Sequence, residues 1–384
     1  MFLSSPNKTL NKGSLPMVGS PTPIVTSIVS EGYFIPKSQK VRKVFTANEL
    51  VKQFMKMSKE QGQLSPKTSQ QYERHLQLLV DLSPFTDLNE IDPEHAEIFR
   101  GLLYKYPKNP QRNPLLRGYK GIDLVQLSEQ LCCDVISRRN VKKIINLWST
   151  FYSWAKKRGY VDENPFHRLK VKQALATDLR YPFTSEELAR VFSMDDYKKV
   201  RPLHPYYYWI PLLLRFTGAR LNELCQLYKT NVVRIGNVWG ISINAEHDGQ
   251  RLKNNNSMRF VPLHHGLISR GFLKFVDSCP NERLFEELPL VNGYYSSNAS
   301  KWFYRRRKKL GLGKGKDAHS FRHSFIDELK QQEVAIDIIQ ELVGHSSNSI
   351  TTSVYSRSYK PEILVSAINK LDDSHVAAIK PYAM

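Results

Sequence analysis

Acidic residues are scarce in this 384-residue chain: 36 Asp and Glu stand against 56 Lys and Arg, a net charge of +20. That surplus favours a polyanionic partner, because basic side chains that neutralise phosphates release condensed counterions. Charge alone separates neither DNA from RNA nor nucleic acid from an anionic membrane surface, and a merely soluble basic protein is the plain alternative. Cysteine is also rare. Cys132, Cys133, Cys225 and Cys279 include one adjacent pair and no CxxC, which argues against both a disulfide framework and a zinc site and fits a reducing, intracellular setting. No stretch reaches the ~18 unbroken apolar residues of a membrane span. Met1-Phe2-Leu3-Ser4-Ser5-Pro6 has no charged region leading into an apolar one, so no signal peptide is read. No internal repeat is present.

What is there is enough apolar residue, 41%, for globular folding, in a chain long enough to expect two domains. Residues 1–43, rich in Ser, Pro, Lys and Gly, read as a flexible tail. Thr46-Ala47-Asn48-Glu49 is a capping box, and Ser65-Pro66 and Asp92-Pro93 open further helices. A helix from about Ser137 to Arg158 presents Val141, Ile144, Ile145, Trp148, Phe151, Tyr152 and Ala155 on one face, and Gly159 stops it. Residues 44–165 therefore read as a small all-helical domain. Residues 166–181 are basic, lack an apolar face and read as a linker. A second domain, 182–360, starts at the capping box Thr184-Ser185-Glu186-Glu187. Val238–Ile243 alternates as a strand, and Arg251–Lys253 with Met258–Val261 around Asn254-Asn255-Asn256 reads as a hairpin. The fold class is mainly α with a small antiparallel β-sheet. Residues 361–384 form a C-terminal helix and tail, with Ile363, Leu364, Ala367, Ile368 and Leu371 on one face.

The chemistry concentrates in His319-Ser320-Phe321-Arg322, Val343-Gly344-His345 and, ten residues on, Tyr355. On a helix His319 and Arg322 share a face and reach one phosphate, and an arginine fork matches two phosphate oxygens. Arg220, after the Thr217-Gly218 turn, supplies a second fork, although a lone arginine there is more often a surface residue. His319 and His323 stand at metal-ligand spacing, but no HExxH glutamate or third ligand accompanies them. Tyr355 competes with Tyr359 at the same helical phase, and a tyrosine in a helix is usually a packing residue. Arg138, Arg139, Lys142 and Lys143, and Arg305, Arg306 and Arg307, are candidate DNA contacts, with a solvated face as the alternative for each.

Thr217–Leu224 (TGARLNEL), HSFR, VGH and Tyr355 together resemble the tyrosine recombinases, the phage-integrase family of site-specific DNA recombinases. The resemblance covers about 182–360, and the preceding helical domain resembles the family's SAM-like core-binding domain more weakly. It implies that Arg220, Arg322, His319 and His345 form the catalytic cluster, that Tyr355 is the nucleophile and that Glu223 is an acidic support. Lys253 fits the family's hairpin lysine, with Arg251 as competitor, because Leu252-Lys253-Asn254 precedes Met258-Arg259-Phe260-Val261-Pro262-Leu263. Val343 and Leu252 stand where Leu and Thr are commoner.

The family's chemistry implies strand cleavage through a 3′-phosphotyrosyl link and strand exchange through a Holliday junction, with no metal or nucleotide cofactor. The implied partners are double-stranded DNA with a specific core site, three further copies in a homotetramer, and accessory DNA-bending or directionality proteins, with no membrane. A cytoplasmic, nucleoid-associated location and an origin in a phage or mobile element follow from the same resemblance, as does docking of the terminal helix on a neighbouring protomer. Packing of that helix on its own domain is the alternative. A monomeric type IB topoisomerase and an inactive DNA-binding protein of the same fold remain the other readings. The segment beyond Tyr355 and the filled catalytic positions weigh against them.

Overall fold

The computed structural model describes residues 45–62, 64–172, 180–198, 202–253, 257–345 and 358–383. Tyr355 lies outside them.

Five helices build the first part. In α1 (Ala47–Glu60) the Thr46 and Glu49 side chains each accept from the other's backbone N–H, the reciprocal cap that the sequence predicts. Helices α2 (Pro66–Leu82) and α3 (Pro93–Lys105) start at Ser65 and Asp92, each with proline at the first turn. Helix α4 (Gly121–Gln130) has no side-chain cap, which is why the start signals do not reveal it. The longest, α5 (Arg138–Lys157), buries the whole predicted apolar face. Trp148 Nε1 donates to the His75 carbonyl at 2.7 Å and the Tyr152 hydroxyl to that of Leu88 at 3.2 Å, so two large side chains enter the core without an orphaned donor. This core runs from Ala47 to Phe166, whose ring packs on Trp148 and Tyr152.

A second core gathers residues from Phe183 to Ile379. Helices α6 (Ser185–Phe192) and α7 (Asp195–Lys198) lead to α8 (Pro205–Thr217), whose last ten residues are all buried. Helix α9 (Leu221–Cys225) follows directly. Then comes a three-stranded antiparallel sheet in the order β1 (Val232–Ile235), β2 (Val238–Ile243), β3 (Arg259–Pro262). Helices α10 (His265–Ser269), α11 (Phe272–Ser278), α12 (Ser296–Lys309), α13 (Ser320–Gln331), α14 (Ile336–Val343) and α15 (Pro361–Ile368) complete the described elements. None of the described helices is long and apolar enough to cross a membrane.

The sheet corrects one expectation. Arg251–Lys253 is not a strand: β3 pairs with β2, Ile243 opposite Arg259, and β2 pairs in turn with β1, Ile235 opposite Val238. Side-chain amides hold the segment before Lys253 in place of a backbone ladder. Gln250 Nε2 donates to the Gln226 carbonyl and to Asn231 Oδ1, and Arg251 N donates to Gln226 Oε1. The β1–β2 hairpin, which the sequence reading does not contain, turns on Gly236, at φ +59°, followed by Asn237, a two-residue loop with glycine at its first central position.

The C-terminal segment packs on its own chain. Leu364, Ala367, Ile368, Leu371, Val376 and Ile379 are buried in the second core, and α15 lies on β3. Fully buried Arg215 donates to the Asp372 carbonyl at 2.8 Å, and the Tyr208 hydroxyl donates to that of Lys380 at 2.7 Å.

Candidate active site

Three turns converge at the site. The first ends α8. Gly218 caps the helix at φ +60°, in the left-handed region, and a Cβ there would sit 2.6 Å from the Phe325 ring on α13. Thr217 Oγ1 donates to the Leu213 carbonyl and accepts from Ala219 N, which locks the turn. Arg220 follows as the cap of α9. Its backbone N–H and its Nη1 both reach the Glu223 carboxylate, at 2.9 and 2.6 Å, and Nη1 also lies 3.3 Å from Ser257 Oγ. The Arg220 side chain is 23% exposed, so this guanidinium keeps an open edge.

The second turn enters α13. His319 sits at the cap position with its backbone N–H on Asp317 Oδ1, and its ring stands perpendicular to that of His323 at 5.0 Å. Arg322, one turn on, is 2% exposed and donates to the carbonyls of Gly218 (2.8 Å) and Val343 (2.5 Å). The third turn ends α14. Gly344 takes φ +64°, and exposed His345 donates its backbone N–H to the Gln340 carbonyl.

The end of α14 gathers the cations. A helix C-terminus leaves carbonyls without intrahelical partners and carries partial negative charge. Here three successive ones each receive an arginine: Leu342 from Arg259 Nε at 2.7 Å, Val343 from Arg322, and Gly344 from Arg220 Nη2 at 3.5 Å. Arg259 is the residue that sequence reasoning passes over. Its side chain is 3% exposed and donates to Glu223 Oε2 at 2.8 Å and to the Ser257 carbonyl at 2.8 Å. A usable signal exists: Arg259 shares its strand face with fully buried Val261, so a cation occupies an inward position.

The remaining predicted residues fall as follows. Lys253 is exposed on the β2–β3 connection, and its charge is felt at His345. Tyr359 is described: its backbone N–H contacts the Glu341 carboxylate, and it lines a cavity of about 310 Å³ together with Arg259, Gly344 and His345. Arg138, Arg139, Lys142 and Lys143 are all exposed on α5. Arg305 is exposed on α12, but its neighbours are engaged within the fold. Arg306 forks onto buried Asp196 at 2.6 and 3.0 Å, and Arg307 donates to the Lys316 carbonyl.

Electrostatics mark the cluster as an anion site. Of the three guanidinium groups, Arg220 and Arg259 pair with one carboxylate, Glu223, whereas Arg322 has only backbone carbonyls as partners. Burial works to raise the Glu223 pKa, but Arg259 and then Arg220 outweigh it, and the group stays below the usual carboxylate range. Burial, then repulsion from Arg220 and Arg259, brings Arg322 down to about 9. Burial, His323 and Arg322 take His319 down to about 4. Burial and the same arginines lower His345. Both histidines are therefore neutral near pH 7, each with one nitrogen able to accept a proton.

Fold and site thus define a mainly helical protein with a cluster of arginines at one helix end, flanked by two imidazoles. Residues 183–362 match the Phage integrase family. A tyrosine recombinase from Pseudothermotoga lettingae is 28% identical over 236 residues, covering 60% of this chain and 73% of the relative. Tyrosine recombinase XerC from Oceanobacillus iheyensis is 24% identical over 290 residues, covering 75% and 90%. Among solved structures, a lambda integrase tetramer bound to a Holliday junction superposes with a TM-score of 0.56 at 17% identity, covering 84% of each chain. The Tn1549 transposon integrase in complex with a circular intermediate DNA gives 0.56 at 18% identity, covering 82% of this chain and 96% of that one. Residues 183–362, just under half of the chain, are thus a domain of the phage integrase family, the family of the tyrosine recombinases, enzymes that cleave and rejoin DNA.

Proposed function

We propose that this recombinase cleaves a specific double-stranded DNA site through Tyr355 and exchanges strands between two duplexes by way of a Holliday junction, as a tetramer. The observation that carries the reading is the set of three guanidinium groups gathered on successive carbonyls at the end of α14, with one carboxylate pairing two of them. Such a pocket is complementary to a phosphodiester, and more so to the additional negative charge of its pentavalent transition state.

In the reaction the Tyr355 oxygen attacks phosphorus, the bond from phosphorus to the 5′ oxygen breaks, and a 3′-phosphotyrosyl link forms. A phenol has an ordinary pKa near ~10 and must lose its proton as it attacks. Neutral His319 is the proton acceptor. Lys253 protonates the departing 5′ oxygen as general acid. The phosphotyrosyl bond keeps the energy of the bond it replaces, so a 5′ hydroxyl of the same or a partner duplex reverses the step. Exposed Arg138, Arg139, Lys142 and Lys143 on α5, with Arg305 on α12, are the surface cations available to the DNA backbone. The lambda integrase and Tn1549 integrase structures, solved on a Holliday junction and on transposon DNA, support this reading by analogy of fold.

The test uses a suicide substrate, nicked so that the cleaved 5′ end is lost by diffusion. Wild type traps a covalent adduct, whereas Tyr355→Phe shifts the DNA without an adduct. An adduct formed by Tyr355→Phe moves the nucleophile elsewhere, with Tyr359 first in line.

A further inference from the structure

We infer that Arg259 is a positioning residue that sets the catalytic lysine's loop in register with the two arginine-bearing turns; this rests on the reaction proposed above. The geometry is specific. Arg259 is fixed at its backbone by pairing with Ile243 across the sheet, and its guanidinium spends each nitrogen on a different segment. Nε goes to the Leu342 carbonyl at 2.7 Å, at the turn that presents His345. Nη2 goes to Glu223 at 2.8 Å, the carboxylate that also holds Arg220. Nη1 goes to the Ser257 carbonyl at 2.8 Å, four residues after Lys253.

Only arginine fits this task. Its planar fork serves three acceptors in fixed directions, whereas a lysine ammonium is a point donor on a flexible stem. The surroundings are shaped around it as well. A Cβ on Gly344 would lie 3.0 Å from Arg259 Nη1 and 3.2 Å from its Cδ, so the glycine of that turn makes room for the guanidinium as well as supplying a positive φ. Ser257, fully buried, adds a second link, because its hydroxyl lies 3.3 Å from Arg220 Nη1. The carboxylate, the helix end and the lysine loop come from three separate stretches of sequence. A side chain that touches all three ties their relative placement together. Arg259 itself is buried behind the pocket and does no chemistry.

The experiment measures adduct formation on the suicide substrate by wild type, Arg259→Lys and Arg259→Gln, each normalised to the fraction that shifts DNA. Two substrates are compared, the normal phosphodiester and one with sulfur in place of the bridging 5′ oxygen. A thiolate leaves without a proton, so the sulfur substrate has no need of a general acid. A mutation that displaces a catalytic group by about 1 Å can cost roughly 100-fold in rate. We expect a loss of that size on the oxygen substrate for both variants and a clearly smaller loss on sulfur. As a second measurement, Arg259→Lys is introduced into Lys253→Ala, where it should cost less than in wild type because the two act through one step. Equal losses on both substrates, or a full additional loss in the Lys253→Ala background, overturn the inference and leave Arg259 a general packing residue. Wild-type rates in Arg259→Lys overturn it too, with the proposed reaction intact. A wild-type protein that forms no adduct at all overturns the reaction and the inference together.

Discussion

Glu223 is the only carboxylate among the described residues that contacts the three-arginine cluster, and replacing it with glutamine tests whether that cluster is a strained anion site. The carboxylate is 3% exposed and binds Arg220 at 2.6 Å and Arg259 at 2.8 Å, with the Arg220 backbone N–H at 2.9 Å. Removing one partner of a buried ion pair typically costs about 3–5 kcal/mol, because the other charge is left uncompensated. Glu223→Gln keeps one oxygen able to accept from one guanidinium, so the low end, about 3 kcal/mol, applies. In a domain of this size that lowers the melting temperature by roughly 6–12 °C. Denaturant unfolding followed by tryptophan fluorescence reports it, since Trp209 and Trp302 are buried in the same core. Sulfate should recover part of the loss in Glu223→Gln and much less in wild type, because the variant's pocket carries one more unit of positive charge. A loss under about 1 kcal/mol, or recovery by sulfate equal in both proteins, would refute the claim that these arginines are held together against their mutual repulsion.

Two further outcomes follow from the same structure. Gly218→Ala places a methyl 2.6 Å from the Phe325 ring at φ +60°, and a thermal melt should show about 1–3 kcal/mol of destabilisation, with slower adduct formation because Arg322 rests on the Gly218 carbonyl. Acid should also weaken the fold: burial holds His264 at about 3 and His375 at about 4, below the ordinary 6.5. Below pH 6.5 the unfolded chain takes up protons that the folded state refuses, so stability falls as pH drops from about 6.5 towards 4, by about 2 kcal/mol per histidine at pH 4.5. The geometry of His264 agrees, since its Nδ1 accepts from Gly266 N and its Nε2 faces the Leu371 carbonyl, which leaves no site for a second proton. Melts at pH 7 and pH 4.5, repeated on His264→Asn, should show a flatter pH dependence in the variant.

Local chemistry is legible in the sequence where one residue type solves one backbone problem. Thr46 with Glu49 and Thr184 with Glu187 cap their helices as read, and the α5 face is buried at every position named. The turn motifs around Gly218 and Gly344 are legible for the same reason, since both glycines take a positive φ. Pairing is not legible. The sequence matches Met258–Val261 to the nearest polar-flanked segment, Arg251–Lys253, whereas its partner is β2, sixteen positions before Arg259 at Ile243. Sequence proximity favours a short hairpin, but Gln226, Asn231 and Gln250 hold the intervening chain off the sheet with side-chain hydrogen bonds that no periodicity records.

Charge shows the same limit in another form. Arg305-Arg306-Arg307 reads as one basic run, yet Arg305 alone of the three is exposed, and Arg306 and Arg307 are partly buried. A buried aspartate takes Arg306, which also lies against the Tyr207 and Trp302 rings, and a carbonyl takes Arg307. A cation already paired inside the fold releases few counterions when DNA arrives, so the net charge of +20 overstates what the DNA surface can use. Arg138, Arg139, Lys142 and Lys143 of α5 form no ion pair among the described residues and sit on a face whose opposite side is core. Counting unpaired, exposed cations instead of total charge lowers the share of the Arg305-Arg306-Arg307 run and leaves that of α5 unchanged. The arginines gathered at the end of α14 differ from these surface cations in their surroundings. Surface cations are screened and hold a phosphate loosely, whereas Arg220, Arg259 and Arg322 are drawn together by one carboxylate and one helix end, in surroundings where each charge counts for more.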